Sequence, residues 1–336
     1  MRVTVIGAGV AGLTCALELA DRGAEVEVLE RGGRVGEGCC SWYAGGMLAP
    51  WCERESAEPL VMNLGQEALR YWAARGAGVA RNGTLVVAQP RDVPELTRFA
   101  RRTEGFEWVD RDGIAALEPD LAGRFARALF FPEEAHLDPR ATLAALADAL
   151  TERGVAIRFG TEAAGPSPEE DWTVDCRGLA ARDALADLRG VKGEMLLIRT
   201  REVALSRPVR MLHPRVPLYV VPRGEGLFMV GATMIESDQR RRITARSMLE
   251  LLSGAYALHP AFGEAEIVEI GCDARPAFAD NLPRIRRRGR TLYVNGLYRH
   301  GFLLAPSLAR MAADALLEER HYPEVMDEDH RQRRSA

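Results

Sequence analysis

MRVTVIGAGVAGLTCALELADRGAEVEVLE, residues 1–30, is the stretch whose reading decides the fold. An apolar run, Val3 to Ile6, reads as a buried strand and leads into Gly7-Ala8-Gly9-Val10-Ala11-Gly12. A helix follows, and Glu25 to Leu29 reads as a second strand ending at Glu30. Each residue type has a physical task in holding a dinucleotide. Gly7 permits a tight turn, Gly9 lets a pyrophosphate approach the backbone, and Gly12 lets the helix lie close to the strand. The helix N-terminus offers unpaired N–H groups and the positive end of its dipole. Glu30 stands eighteen residues after Gly12, where an acid accepts hydrogen bonds from a ribose diol. A glycine turn alone is common. In register with strand, helix, second strand and terminal acid it predicts dinucleotide binding, without saying which dinucleotide.

At 336 residues the chain is long enough for one or two domains. A net charge of −4 and the lack of any basic tract interleaved with aromatics exclude a general nucleic-acid binder. The run VTVIGAGVAG is too short and too rich in glycine to span a membrane, so no membrane partner is expected. Met1-Arg2 leads straight into the first strand with no signal-peptide pattern, and a cytoplasmic location is expected. Cys15, Cys39, Cys40, Cys52, Cys176 and Cys272 form no C-x-x-C pair and have no histidine at zinc spacing. Free thiols and no metal are the expectation, with Cys39-Cys40 set apart by its glycine-rich surroundings. Lys192 is the only lysine. Genomic base composition is the plain explanation. The alternative is a place in Gly190-Val191-Lys192-Gly193-Glu194 that needs a compact ammonium.

Residues 31–59 are rich in glycine and aromatics, lack a 3.6 period, and read as an irregular loop along the cofactor. Helices are predicted over 60–75 and 93–102, with a strand over 83–87. A second α/β unit starts at Asp138-Pro139-Arg140, with helix 141–153, strand 155–159 and a strand-turn over 172–178. Short turns such as Gly165-Pro166-Ser167-Pro168 punctuate the chain. From residue 193 to about 270 the pattern becomes alternating strands, 195–199, 218–221 and 227–230, interrupted by helix 245–258. A mostly antiparallel sheet of this kind suits a substrate-binding domain. Strand 291–295, the turn Gly296 to Phe302 and a helix over 306–318 then bring the nucleotide-binding pattern back. The expected class is α/β (α+β overall), with a discontinuous Rossmann-type cofactor domain over 1–75, 135–190 and 271–325. Residues 76–134 and 191–270 form the antiparallel-sheet substrate domain, and 326–336 a tail. A cofactor domain split this way is usual for two-domain flavoproteins and unusual for NAD dehydrogenases.

The chain resembles the D-amino-acid-oxidase-like family of FAD enzymes, and within it the glycine oxidases of thiamine biosynthesis. The matching segments span essentially its whole length: the opening GAGVAG, Ala44 to Pro50, Val191 to Glu194, Tyr219 to Arg223, Val230 to Met234, Ala274 to Pro276 and Arg299 to Pro306. GGMLAP and RHGFLLAP are the specific ones. The resemblance implies a glutathione-reductase-2-like fold with non-covalent FAD. Gly7, Gly9, Val10, Ala11 and Gly12 would lie at the pyrophosphate, with Glu30 and Arg31 at the adenosine ribose. Cys40, Ser41, Gly45, Gly46 and Met47 would lie along the flavin side, and Ala163 at the adenine end. Arg299, His300, Gly301, Phe302, Leu303 and Leu304 would surround the isoalloxazine ring. The helix that follows would aim its N-terminus at the flavin N1/C2=O edge.

The resemblance also places Arg299 and Arg275 at an amino-acid carboxylate, which a guanidinium holds in plane through two bonds. Tyr219 would add a hydroxyl, Met234, fifteen residues on, would narrow the pocket, and Ala49 would line it. His300 is read as part of the flavin cradle, since the family transfers hydride from Cα without a dedicated acid or base. Two segments depart from the family pattern: Trp42-Tyr43, where smaller residues are expected, and the polar Val174-Asp175-Cys176-Arg177-Gly178. The implied reaction is oxidation of glycine by oxygen, giving an imine or glyoxylate, ammonia and hydrogen peroxide, with the imine used for the thiazole of thiamine. A sarcosine or small D-amino-acid oxidase or dehydrogenase is the rival within the class. A non-catalytic FAD-binding or electron-shuttling protein is the rival outside it. The sequence leaves open whether the chain works alone or as a homo-oligomer.

Overall fold

Strand Arg2–Ile6 buries four consecutive residues, Val3 to Ile6, on both of its faces, as a central parallel strand does. The computed structural model describes residues 1–75, 78–163, 171–240 and 242–327. Among them, six strands form one sheet in the order Arg284–Arg288, Thr291–Asn295, Trp172–Asp175, Arg2–Ile6, Glu25–Leu29 and Ala156–Arg158. All neighbours are parallel except the first two, which form an antiparallel hairpin. The opening helix Val10–Asp21 packs against Pro139–Glu152 and against the closing helix Gly301–Leu317. This unit comprises residues 1–44, 139–191 and 274–336 of the chain.

The second unit, residues 45–138 and 192–273, is built on a nine-stranded sheet among the described residues. Its main path runs Ile235–Glu236, Arg189–Arg199, Leu227–Gly231, Leu218–Pro222, Val209–Leu212, Thr84–Ala88, Arg127–Phe131 and Glu107–Asp110. Glu266–Ala277 joins beside Arg189–Arg199, and one pair, Val209–Leu212 with Thr84–Ala88, is parallel. The period of two puts alternate residues into different cores. Leu85 and Val87 join Val220, Val230, Leu251 and Leu258 on one face, the last two from helix Ala245–Leu258. Val86 and Ala88 join Leu96, Phe99, Leu129 and Phe131 on the other.

Several expectations are corrected. Residues 45–75 fall in the second unit, not the first. Residues 31–59 contain a 3-10 turn, Cys40–Tyr43, and a one-turn helix, Pro50–Glu53. The last helix begins at Gly301, five residues before Pro306, which sits inside it. An internal proline costs about 3 kcal/mol. The buried Leu303, Leu304, Leu308, Ala309 and Ala312, packed on the opening helix, offset that cost. Strands Val209–Leu212, Glu107–Asp110, Arg127–Phe131 and Arg284–Arg288 carried too little alternation to be read. The turn at Gly165 to Pro168 and residues 328–336 lie outside the described residues.

Candidate active site

In the first unit, strands Arg2–Ile6, Trp172–Asp175 and Thr291–Asn295 are parallel neighbours, so their carboxyl ends share one edge of the sheet. Ligands bind at such an edge. Gly7 takes φ +101°, and a Cβ there would lie 2.8 Å from the Cys176 carbonyl oxygen. A Cβ on Gly12 would lie 1.7 Å from the Gly7 carbonyl oxygen, so only glycine lets the helix start this close to the strand. Beside Gly9 there is room: the nearest contact of an added Cβ is Ser41 Oγ, at 3.4 Å. The first turn of the helix carries no acidic residue, and its N-cap, Gly9, has no side chain to cap it. Val10 donates its N–H to Ser41 Oγ at 3.2 Å. Helix geometry gives Ala11 and Gly12 N–H no intrahelical partner.

Glu30 does more at this turn than the sequence suggested. Its carboxylate is buried, accepting the Ala8 N–H at 2.7 Å through Oε2 and the Gly32 N–H at 2.8 Å through Oε1. Thr161 N–H donates to the Glu30 carbonyl and Gly160 N–H to that of Gly32, which draws the segment leading to Ala163 alongside. Ala163 is half-buried and Arg31 exposed. Cys40 and Ser41 lie on the 3-10 turn. The Trp42 ring packs against Gly36 and under the Arg140 guanidinium, 4.7 Å away.

At the other end of this edge, Gly301 opens the closing helix, and a Cβ on it would lie 3.3 Å from Val10 Cγ1. Two helix N-termini therefore converge. The second also lacks acidic residues in its first turn, which suits an anion. Phe302, Leu303 and Leu304 are buried in the core, leaving their backbone as what they can offer a ligand. His300 is the N-cap residue and is buried. Its Nε2 accepts from Arg299 Nε–H at 3.2 Å, so the imidazole proton sits on Nδ1 in this arrangement. Arg299 and Arg275 are both half-buried. Tyr298 N–H bonds the Pro276 carbonyl, joining their two segments.

The polar segment after Trp172 is self-satisfied. The buried Asp175 binds Arg177 Nε at 2.8 Å, and Arg177 reaches on to Asp183 through both Nη atoms. Hydrogen bonding to Cys15, and then burial, push the Cys176 thiol up, out of its reactive range.

In the second unit, Gly45, Gly46 and Met47 run into the two-residue strand Met47–Leu48, paired with Ala135–His136. Tyr219 lies in strand Leu218–Pro222, opposite Gly231. Its ring passes over two glycines: a Cβ on Gly45 would come within 2.8 Å of it, and one on Gly231 within 3.1 Å. Ala49 is buried in the core with Val86 and Phe131. Met234 is 49 % exposed.

Two features escape sequence reasoning. In the sequence Arg223 is only the end of the Tyr219–Arg223 segment, yet its guanidinium bridges the Gly45 and Leu137 carbonyls. Glu134 is wholly buried and accepts the Cys52 N–H at 2.7 Å. Burial raises its carboxyl to about 7 against the pull of that bond, while burial and the Arg223 charge lower His136 to about 4. Lys192 was singled out, and its role is now visible: it is buried and paired with Glu194 at 2.6 Å. Burial opposes ionisation of Glu194, but bonds from Lys192, Ser247 and Thr233 hold its carboxyl below the usual range. Among the described residues, no group of three His, Cys, Asp or Glu is placed to hold a metal, and no helix is long and apolar enough to cross a membrane.

Residues 2–315 match the family model of the FAD-dependent oxidoreductases. A thiamine biosynthesis oxidoreductase, ThiO, from Rhizobium etli is 60 % identical over 326 residues, covering 96 % of this chain and 99 % of that protein. A glycine oxidase from Geobacillus kaustophilus is 28 % identical over 356 residues, covering 93 % and 92 %. The crystal structure of glycine oxidase from Bacillus cereus superposes with a TM-score of 0.81 at 23 % identity, covering 95 % of this chain and 96 % of that one. The sterically obligatory Gly12, the open approach at Gly9 and the two converging helix ends fit a dinucleotide's phosphates and an electron-rich ring edge. The chain belongs to the FAD-dependent oxidoreductase family and is an enzyme with FAD as its cofactor.

Proposed function

We propose that the chain oxidises glycine, giving an imine that either serves thiazole synthesis for thiamine or is hydrolysed to glyoxylate and ammonia. The observation that carries the reading is the pairing of two arginine-bearing segments, around 275 and 299, next to the start of the closing helix. A small amino acid has one constant handle, its carboxylate, and two guanidinium groups on tied segments suit it. The relatives support the substrate: one is described as a thiamine biosynthesis oxidoreductase, the other as a glycine oxidase.

In this reading Arg299 holds the carboxylate, aided by Arg275, and His300 restrains Arg299 through its Nε–H. Tyr219 offers a hydroxyl to a substrate carboxylate, and Met234 narrows the pocket. Gly7 to Gly12 and Glu30 hold the pyrophosphate and ribose, Ala163 the adenine end, and Ser41 and Gly45 to Met47 the flavin side. Bound FAD would supply acceptance of a hydride from Cα while the amine releases an N–H proton to solvent, and the two electrons, with that hydride's proton and one from solvent, would pass to oxygen as hydrogen peroxide. The backbone amides of residues 301–304 offer the dipole that favours negative charge on the reduced ring. Catalysis then rests on positioning and electrostatics, with no acid or base assigned.

Oxygen-consumption kinetics across glycine, sarcosine and D-alanine, with a peroxide assay, test this. Glycine should give the highest kcat/KM with stoichiometric peroxide. A preference for sarcosine or D-alanine, or flavin that stays oxidised when mixed anaerobically with glycine, sinks it.

A further inference from the structure

Arg223 follows strand Leu218–Pro222, and its side chain is 6 % exposed. Nη1 donates to the Leu137 carbonyl at 2.8 Å and Nη2 to the Gly45 carbonyl at 2.9 Å. Leu137 N–H in turn donates to the Gly46 carbonyl at 2.9 Å. The backbone from which the guanidinium projects is itself fixed, since Arg223 N–H closes a hairpin onto the Leu227 carbonyl at 2.8 Å. One planar fork therefore holds the Gly45-Gly46 segment and the strand beside it. The guanidinium also pairs with the Asp138 carboxylate, its Nε 3.9 Å from Oδ2. Two of its N–H groups are spent on backbone carbonyls. What it provides is geometry, because the donors of a guanidinium keep a set spacing.

Tyr219 lies four residues earlier on the same strand and leans on the same glycine. A Cβ on Gly45 would stand 2.8 Å from its Cε2 and 3.3 Å from its hydroxyl oxygen. Gly231, paired with Tyr219 across the sheet, bounds the ring as well, with an added Cβ 3.1 Å from that oxygen. The position of the phenol thus depends on where Gly45 sits, and Gly45 sits where Arg223 holds it.

We propose that Arg223 is a positioning residue, which fixes the Tyr219 hydroxyl relative to the Gly45–Met47 segment and so sets the affinity for the substrate carboxylate. This rests on the reading that Tyr219 contacts that carboxylate. Misplacing a binding group by about 1 Å costs up to ~100-fold.

The test is a double-mutant cycle on the FAD-loaded enzyme with Tyr219→Phe, Arg223→Gln and the double variant. The readouts are the glycine KM, kcat, and the Kd of acetate, a carboxylate without an oxidisable amine, from its perturbation of the flavin absorption. Each single change should raise KM and Kd about tenfold with a smaller effect on kcat, and the double variant should be no worse than the worse single one. Arg223→Lys, which keeps the charge without the fork, should resemble Arg223→Gln. Effects that multiply to about a hundredfold, or an Arg223→Gln enzyme with native KM and Kd, overturn the proposal. If Tyr219→Phe alone changes neither quantity, the reading of Tyr219 fails and takes the proposal with it. Should Arg223→Gln not fold, Gly45→Ala, which leaves Arg223 intact and crowds the ring, must reproduce the KM rise; a native KM there also overturns it.

Discussion

The N–H of Tyr298 donates to the carbonyl of Pro276 at 3.0 Å, tying the residue before Arg299 to the residue after Arg275. Tyr298 adopts φ +52°, a left-handed conformation that costs a non-glycine residue about 1 kcal/mol. The bond holds the two arginine-bearing segments together, as the proposed carboxylate site needs.

Arg299→Ala should therefore raise the glycine KM about a hundredfold, and Arg275→Ala about tenfold, the range for removing one partner of a charge-assisted contact. Bound FAD, read from the 450 nm absorbance per chain, should be unchanged in both, the wavelength being about where oxidised flavins absorb. An Arg299→Ala enzyme with native KM would remove that residue from the site.

Gly12 and Gly9 should separate folding from cofactor binding. Gly12→Ala forces a methyl to within 1.7 Å of the Gly7 oxygen, where backbone must move, so a loss of about 3 kcal/mol or more and little bound FAD are expected. Gly9→Ala meets nothing closer than 3.4 Å. It should melt within a few degrees of wild type while weakening FAD about tenfold or more. Thermal melts of the apoprotein and FAD titrations read the two effects separately.

Glu30→Gln tests the brace under the glycine turn. The carboxylate accepts from Ala8 and Gly32 through different oxygens. An amide has one oxygen and sets an NH2 group against one of those donors. FAD affinity should fall about tenfold or more, at roughly 1.5–3 kcal/mol for a bond to a charged group, while the glycine KM at saturating FAD stays put. Quenching of FAD fluorescence on titration with apoprotein measures the first, and steady-state kinetics the second.

Glu134 and His136 give stability opposite pH slopes. Burial raises Glu134 from 4.5 to about 7, so between those values the folded chain keeps a proton that the unfolded chain has lost. Its contribution is full below pH 4.5 and is lost as pH rises through 7, about 3 kcal/mol in all. Burial and Arg223 lower His136 from 6.5 to about 4, so its contribution is present above 6.5 and is lost as pH falls through 4. Glu134→Gln keeps an acceptor for Cys52 N–H and removes the first slope. It should raise Tm by a few degrees at about pH 8 and by nothing below about pH 4. The same gain at both pH values would contradict the assignment.

Much of this architecture was legible because local chemistry and tertiary role coincide. GAGVAG encodes its turn in Gly7 and Gly12, where an added Cβ would meet backbone, and Glu25 to Leu29 alternates cleanly. The start of the closing helix misled because Pro306 resembles a first-turn proline, whereas burial along Gly301–Leu317 sets the boundary. Ala49 lies in the core and Met234 is half exposed, and no local pattern in the sequence separates the two. Arg223 is a bond between segments far apart in sequence, among many arginines, so only the fold singles it out.

Lys192, buried against Glu194, leaves the native surface of this chain without a single lysine. Acylating reagents that consume lysines indiscriminately on most proteins find none on this surface, since the arginine guanidinium stays protonated and is not acylated. Lys192 becomes a clock: its acylation rate, compared with that of a free amine, measures how often the second unit opens far enough to expose it.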